Sequence, residues 1–96
     1  MDKMLILFTM KGCPYCDTMK ESLDKLDLKY YIRDIDEHKD EYDAFVEATE
    51  NEFVPAFMII ENPKSSKPNS FLFAPERDYH EVEQGVDIIK EHFGLS

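Results

Sequence analysis

The sequence predicts an α/β fold in a single domain spanning residues 1–96, with one four-stranded mixed sheet flanked by helices. Short apolar runs (MLILF, YYI, FVPAFMII and SFLF) alternate with stretches of helical spacing, in the order βαβ and then αββα. At 96 residues there is room for one core and none for a second independently folding unit. The hydrophobic fraction of 43% suits a globular chain, and no apolar run reaches membrane-spanning length.

Met4 to Phe8 is apolar on both sides, which predicts a central strand covered on two faces. After Gly12, Tyr15, Met19, Leu23 and Leu26 recur at helical spacing between polar residues. Lys29 to Asp34 is aromatic and β-branched, a second strand that the intervening helix sets parallel to the first. Tyr42, Phe45, Val46 and Thr49 mark a second amphipathic helix opening near His38 to Asp40, where acidic residues favour the first turn. Ala56 to Ile60 and Phe71 to Phe73 predict an antiparallel hairpin joined by the Pro- and Ser-rich loop Glu61 to Ser70. Val82, Val86, Ile89 and Phe93 form a closing helical stripe, weakened by Gly85 in its middle. There is no internal repeat and no low-complexity tract.

A formal net charge of -10 repels nucleic-acid backbones and anionic lipid surfaces, and favours protein partners with basic docking surfaces. Much of the acidity lies between Asp34 and Glu52, read as a solvated helix face rather than a docking patch. Met1 is followed by charges and then LILF, too short for a signal-peptide core and lacking a small-residue cleavage site. With both cysteines packed into one motif, a cytoplasmic, reducing location is the expectation.

Those cysteines, Cys13 and Cys16, lie in TMKGCPYCDTMK with only Pro14 and Tyr15 between them. A cysteine attacks as its thiolate, and an unperturbed pKa of about 8.5 leaves it mostly protonated at neutral pH. Cys13 falls where the strand-to-helix turn ends, facing the unpaired N–H groups and positive dipole end of the helix. Pro14 suits the first helical position, because its fixed φ fits and its missing N–H costs nothing there. Lys11 adds a nearby positive charge. Cys16 comes one helical turn later on the same side, within disulfide reach. Cys13 therefore reads as a nucleophile and Cys16 as its resolving thiol. A half zinc site would need further ligands from His38, His80, His92 or carboxylates, which have no finger-like spacing, and an inert structural pair is the other alternative. The position after a strand favours redox chemistry, and no metal is expected. Met1, Met4, Met10, Met19 and Met58 read as core or rim. Tyr30, Tyr31, Tyr42 and Tyr79 read as packing aromatics without basic interleaving, and the histidines as surface residues.

LFTMKGCPYCDTMK resembles the active-site segment of a dithiol glutaredoxin of the thioredoxin-like superfamily, in which CPYC is the characteristic tetrad. A second match is Phe53-Val54-Pro55, at the place of the family's Thr-Val-Pro, whose proline is cis and faces the cysteine pair. The resemblance follows the element order over nearly the whole chain, with its specific motifs before about Ile60. It implies a thioredoxin-like fold and a glutathione-dependent thiol–disulfide oxidoreductase. Its substrates would be protein disulfides and glutathione mixed disulfides, with ribonucleotide reductase a family-level example. By the same resemblance Val54 and Pro55 meet the cysteine of glutathione, with Phe53 beside them in the glutathione site, Tyr15 flanks the thiol, and Lys11 stands for the lysine that takes the glycine carboxylate.

The chain departs from the family in three places. Met10 occupies the usual lysine position, so Lys11 comes one place late, and Phe53 replaces the threonine. No Gly-Gly follows SFLF, and the family's Gly-Gly-x-Asp turn for the γ-glutamyl end is matched by Pro75-Glu76-Arg77-Asp78. Asp78 would take the ligand's amino group and Arg77 would offset Glu76, giving a weaker glutathione site. The alternative register Gln84-Gly85-Val86-Asp87 would put this turn inside the last helix. Two rival functions stay open: an electron donor recharged by a thioredoxin-reductase-type flavoprotein, and an iron–sulfur cluster carrier, which Pro14 and Tyr15 disfavour. The expectation is a monomer without nucleic-acid or membrane partners.

Overall fold

Seven elements follow one another: β1 (Lys3–Thr9), α1 (Pro14–Lys25), β2 (Tyr31–Asp34), α2 (Lys39–Thr49), β3 (Ala56–Glu61), β4 (Asn69–Phe73) and α3 (Val82–His92). The structure, a computed structural model, describes residues 3–95, so Met1 lies outside the described residues. The sheet order is β2-β1-β3-β4, with β1 parallel to β2 and antiparallel to β3, and β3 antiparallel to β4. This is the mixed, thioredoxin-like arrangement expected.

The register explains why β1 is apolar on both sides. Leu5 lies opposite Ile59 and Leu7 opposite Phe57, and these four join Met19 and Leu23 of α1, Tyr79, and Val86 and Ile89 of α3 in one core. On the other face Ile6 and Phe8 join Tyr42 and Phe45 of α2 with Ala56 and Ala74. Phe8 sits with its ring 4.9 Å from that of Phe45. Burying each such large apolar side chain contributes about 1.5–3 kcal/mol, so β1 and β3 form the rigid platform from which the loops at the C-terminal end of β1 project.

The acidic tract behaves as a solvated face: Asp40 and Glu41 occupy the first turn of α2, and Lys39 pairs with Asp43 at 2.9 Å. Two aromatic readings need correction. Tyr31 is exposed on edge strand β2, with Lys29 and Arg33 placed 5.9 and 6.0 Å from its ring, so it does have basic neighbours. His92 is half-buried rather than a free surface residue, because the last turn of α3 lays its ring 5.2 Å from Phe71 and 5.4 Å from Phe73. Met19 is fully buried, Met4 and Met58 are partly buried, and Met10 is exposed. No helix among the described residues is long and apolar enough to cross a membrane.

Gly85 also differs from its reading as a weak point. Helix α3 continues through it, and a Cβ at this position would stand 2.9 Å from Met19 Cε and 3.2 Å from the Tyr79 ring. The missing side chain lets α3 approach α1 and Tyr79 closely. Gln84 to Asp87 is helical, as the choice against that turn register required.

Candidate active site

Strand β1 hands the chain to α1 through a tight turn. The carbonyl of Thr9 accepts the Ile35 N–H at 2.9 Å, and Gly12 then adopts φ +74° with nothing within 4 Å of where a Cβ would stand. Glycine's role there is conformational, since the left-handed region costs an L side chain about 1–2 kcal/mol. The turn delivers Cys13 as the N-cap of α1 and Pro14 at its start. Cys13 Sγ accepts the Cys16 backbone N–H at 3.2 Å. One unpaired helix donor thus points at the sulfur, and a thiolate there meets the positive end of the helix.

Both thiols are free, but their surroundings differ. Cys16 is 1% exposed, against 6% for Cys13. Burial first, and then its hydrogen bond and charge interaction with Cys13, push the Cys16 thiol up from 9.0 to about 12. Cys16 is therefore a stored proton donor at neutral pH, whereas Cys13 has the helix end to itself.

A groove of about 770 Å³ opens beside Tyr15. Tyr15 and Thr18 of α1 form one side, Phe53, Val54 and Pro55 another, and Pro75, Glu76 and the segment Tyr79 to Glu83 the third. Tyr15 is 68% exposed and Phe53 60%, two uncovered aromatic rings on one surface. The Val54–Pro55 peptide is cis. The last two sides are tied together twice. Asn51 Oδ1 accepts the Phe53 N–H at 2.9 Å while its Nδ2 donates to the Pro75 carbonyl at 2.7 Å. The Tyr79 hydroxyl donates to the Pro55 carbonyl, and burial, with Asp78 adding to it, pushes that hydroxyl's pKa up, keeping it a donor. Tyr79 is itself held by stacking on Phe57 at 5.6 Å. Gln84 Oε1 accepts the N–H groups of His80 at 2.9 Å and Glu81 at 3.0 Å, fixing the entry into α3.

The groove gathers Tyr15, Phe53, Val54 and Pro55 but not Lys11, Arg77 or Asp78, and it meets the thiol pair through Tyr15, which stands between Cys13 and Cys16 in the chain, rather than being lined by either cysteine. Lys11 is exposed in the turn before Cys13. Asp78 is turned to its own loop: its Oδ2 accepts the Ala74 N–H at 2.8 Å and faces Arg77 Nη1 at 3.2 Å, and its N–H returns to the Ala74 carbonyl at 3.0 Å. Arg77 also donates to the Leu72 carbonyl at 3.3 Å. The turn placed at Pro75 to Asp78 does border the groove, but through Pro75 and Glu76 rather than the two residues expected to face a ligand. Glu76 carries φ 68°, the left-handed backbone that glycine adopts freely.

Asn51, Thr18, Glu81, Glu83 and the bridging role of Tyr79 were not anticipated. Asn51 had a signal: an asparagine two residues before Phe53 in NEFVP suits an Asx turn. The glutamates of HEVEQ look like ordinary acids at a helix start, which hides the direction they face.

The sequence family described as Glutaredoxin matches residues 5–62 of this chain. A solved structure described as "Structure of a malarial protein" is similar with a TM-score of 0.54 and 15% identity, covering 96% of this chain and 98% of its own, a likeness of fold alone. No curated protein shows significant similarity to the chain.

Proposed function

Because the chain belongs to the glutaredoxin family, we propose that its thiol–disulfide oxidoreductase chemistry draws electrons from glutathione and reduces protein disulfides and glutathionylated proteins. The observation that carries this reading is the unlike state of the two thiols, with Cys13 at the helix end and Cys16 buried and held up to about 12. Cys13 as thiolate attacks one sulfur of the substrate disulfide, forms a mixed disulfide, and releases the other sulfur as a thiolate that takes a proton. With a glutathionylated substrate the adduct on Cys13 is glutathione, and a second glutathione thiolate attacks it, yielding oxidised glutathione and regenerating Cys13. With a protein disulfide, Cys16 attacks the Cys13 sulfur of the mixed disulfide, the substrate sulfur leaves as a thiolate that takes up the proton Cys16 gives up, and the Cys13–Cys16 disulfide that remains is reduced by two glutathiones, which leave as oxidised glutathione. Once Cys13 is in a mixed disulfide, the charge and hydrogen bond that help hold up the Cys16 thiol are gone, which eases that second attack.

Phe53, Val54 and Pro55 beside Tyr15 are the proposed contact for the glutathione cysteine. At about 770 Å³ the groove is in the range of small-ligand sites. Glu76 on its wall faces the wrong charge toward a ligand with net negative charge, so the site is weak, and Lys11 is left to meet the glycine carboxylate from outside the groove. The chain works as a monomeric, single-domain protein of the cytoplasm in this reading, with no resident metal. The acidic wall favours one competitor, an electron donor recharged by a flavoprotein of the thioredoxin-reductase type. Turnover of a glutathione mixed disulfide, coupled in parallel to glutathione with its reductase and to that flavoprotein, separates them. Faster turnover with glutathione is expected, and turnover with the flavoprotein alone would transfer the function to the competitor.

A further inference from the structure

The acidic side chains lining the groove beside Tyr15 are Glu76, Glu81 and Glu83, with His80 next to them, and among the described residues no lysine or arginine lines it. Glu76 meets only His80, at 3.2 Å, and neither Glu81 nor Glu83 has an ion pair among the described residues. Acids at the start of α3 are ordinary by themselves, because the helix dipole favours them. Here they line the same groove as a third glutamate from a different loop and two exposed aromatic residues, Tyr15 and Phe53, with Tyr15 in the first turn of α1 between the two cysteines. Exposed aromatic rings beside carboxylates, on a groove that reaches the thiol pair through Tyr15, match a cationic chain with an apolar stem, as lysine and arginine have.

We propose that this groove docks the basic flank of a substrate protein segment, one that carries lysine or arginine beside its reactive disulfide. The proposal rests on the oxidoreductase reading and names its substrate class: the flank lies on Tyr15 and Phe53, its cation reaches Glu81 and Glu83, and its disulfide faces Cys13. An acidic flank is repelled by the same carboxylates.

The test uses two unreactive peptides of equal length, with serine in place of cysteine, flanked by lysine in one and glutamate in the other. Binding to the native dithiol protein is read by fluorescence anisotropy. Two or three exposed ion pairs make the lysine peptide bind about five- to tenfold tighter at about 50 mM salt, a ratio that shrinks at about 500 mM as screening shortens. Glu81→Gln/Glu83→Gln lowers the ratio to less than about twofold, whereas Glu47→Gln/Glu50→Gln, with the same change of net charge on exposed residues of the α2 end, leaves it in place. Equal binding of the two peptides, or a ratio that survives Glu81→Gln/Glu83→Gln, overturns the proposal. Turnover of the uncharged bis(2-hydroxyethyl) disulfide is measured alongside: its absence would strike the oxidoreductase reading, while the anisotropy ratio still judges the docking.

Discussion

Replacing Gly85 by alanine sets two physical effects against each other. On helix propensity alone, alanine in the middle of α3 stabilises by about 0.5–1 kcal/mol, because glycine loses more backbone freedom on folding. The structure predicts the opposite sign. The new Cβ would stand 2.9 Å from Met19 Cε and 3.2 and 3.3 Å from two carbons of the Tyr79 ring. Met19 is fully buried but meets the Cβ with the end of a flexible side chain, so the sign is decided by the Tyr79 ring, fixed between its stack on Phe57 and its hydroxyl bond to Pro55. Overpacking of this kind costs about 1–3 kcal/mol, leaving a net loss near 1 kcal/mol. For a domain of this size that is a fall in Tm of about 4–8 °C, read by thermal unfolding of the reduced protein and checked by the urea midpoint. Met19→Leu, which removes the thioether tip, restores part of the loss when combined with Gly85→Ala. A displaced Tyr79 also loosens the groove wall at Pro55, so KM rises with the loss of stability. A Tm for Gly85→Ala above that of the native chain would refute the close-approach argument.

Further outcomes follow from the same site. Cys16, pushed up to about 12 by burial, stays protonated in the folded chain above the ordinary thiol pKa, where the unfolded chain ionises, so stability falls as pH rises through that window. Cys16→Ala removes its share of that slope, with Tyr79 still contributing in the same direction. Iodoacetamide at about pH 8 should label one cysteine per chain in native buffer and both in urea. Asn51→Ala breaks the link between Phe53 and Pro75, costing about 1–3 kcal/mol for two hydrogen bonds by urea unfolding and raising KM more than it lowers kcat. Glu76→Gly relieves a left-handed glutamate and stabilises by about 0.5–1 kcal/mol net of glycine's own entropy, while tightening glutathione binding measured by calorimetry.

The fold was legible because its strongest signals are local and redundant. Leu5 to Phe8, apolar at every position and too short for a buried helix, reads as a strand covered on both faces, and CPYC after such a strand fixes where the thiols sit on the next helix. What remained hidden depends on directions that sequence spacing does not encode. Asp78 kept the expected residue type, yet its carboxylate closes a loop back to Ala74. Gly85 looked like a helix defect until the facing side chains of Met19 and Tyr79 were in place. Asn51 and the Tyr79 hydroxyl matter through partners 24 residues away. Glu81 and Glu83 carry the same acids any helix start carries, and only the fold shows that they line the groove.

The central claim, that Cys13 alone is the attacking thiol of a glutathione-using dithiol pair, is tested most directly by trapping its intermediate. Reduced Cys16→Ser protein mixed with a glutathionylated peptide should accumulate one glutathione adduct, mapped to Cys13 by peptide mass spectrometry, and should still release the peptide when glutathione is supplied. Cys13→Ser under the same conditions should form no adduct and show no turnover. An adduct on Cys16 in the Cys13→Ser protein, or equal loss of peptide release from both substitutions, would contradict the account.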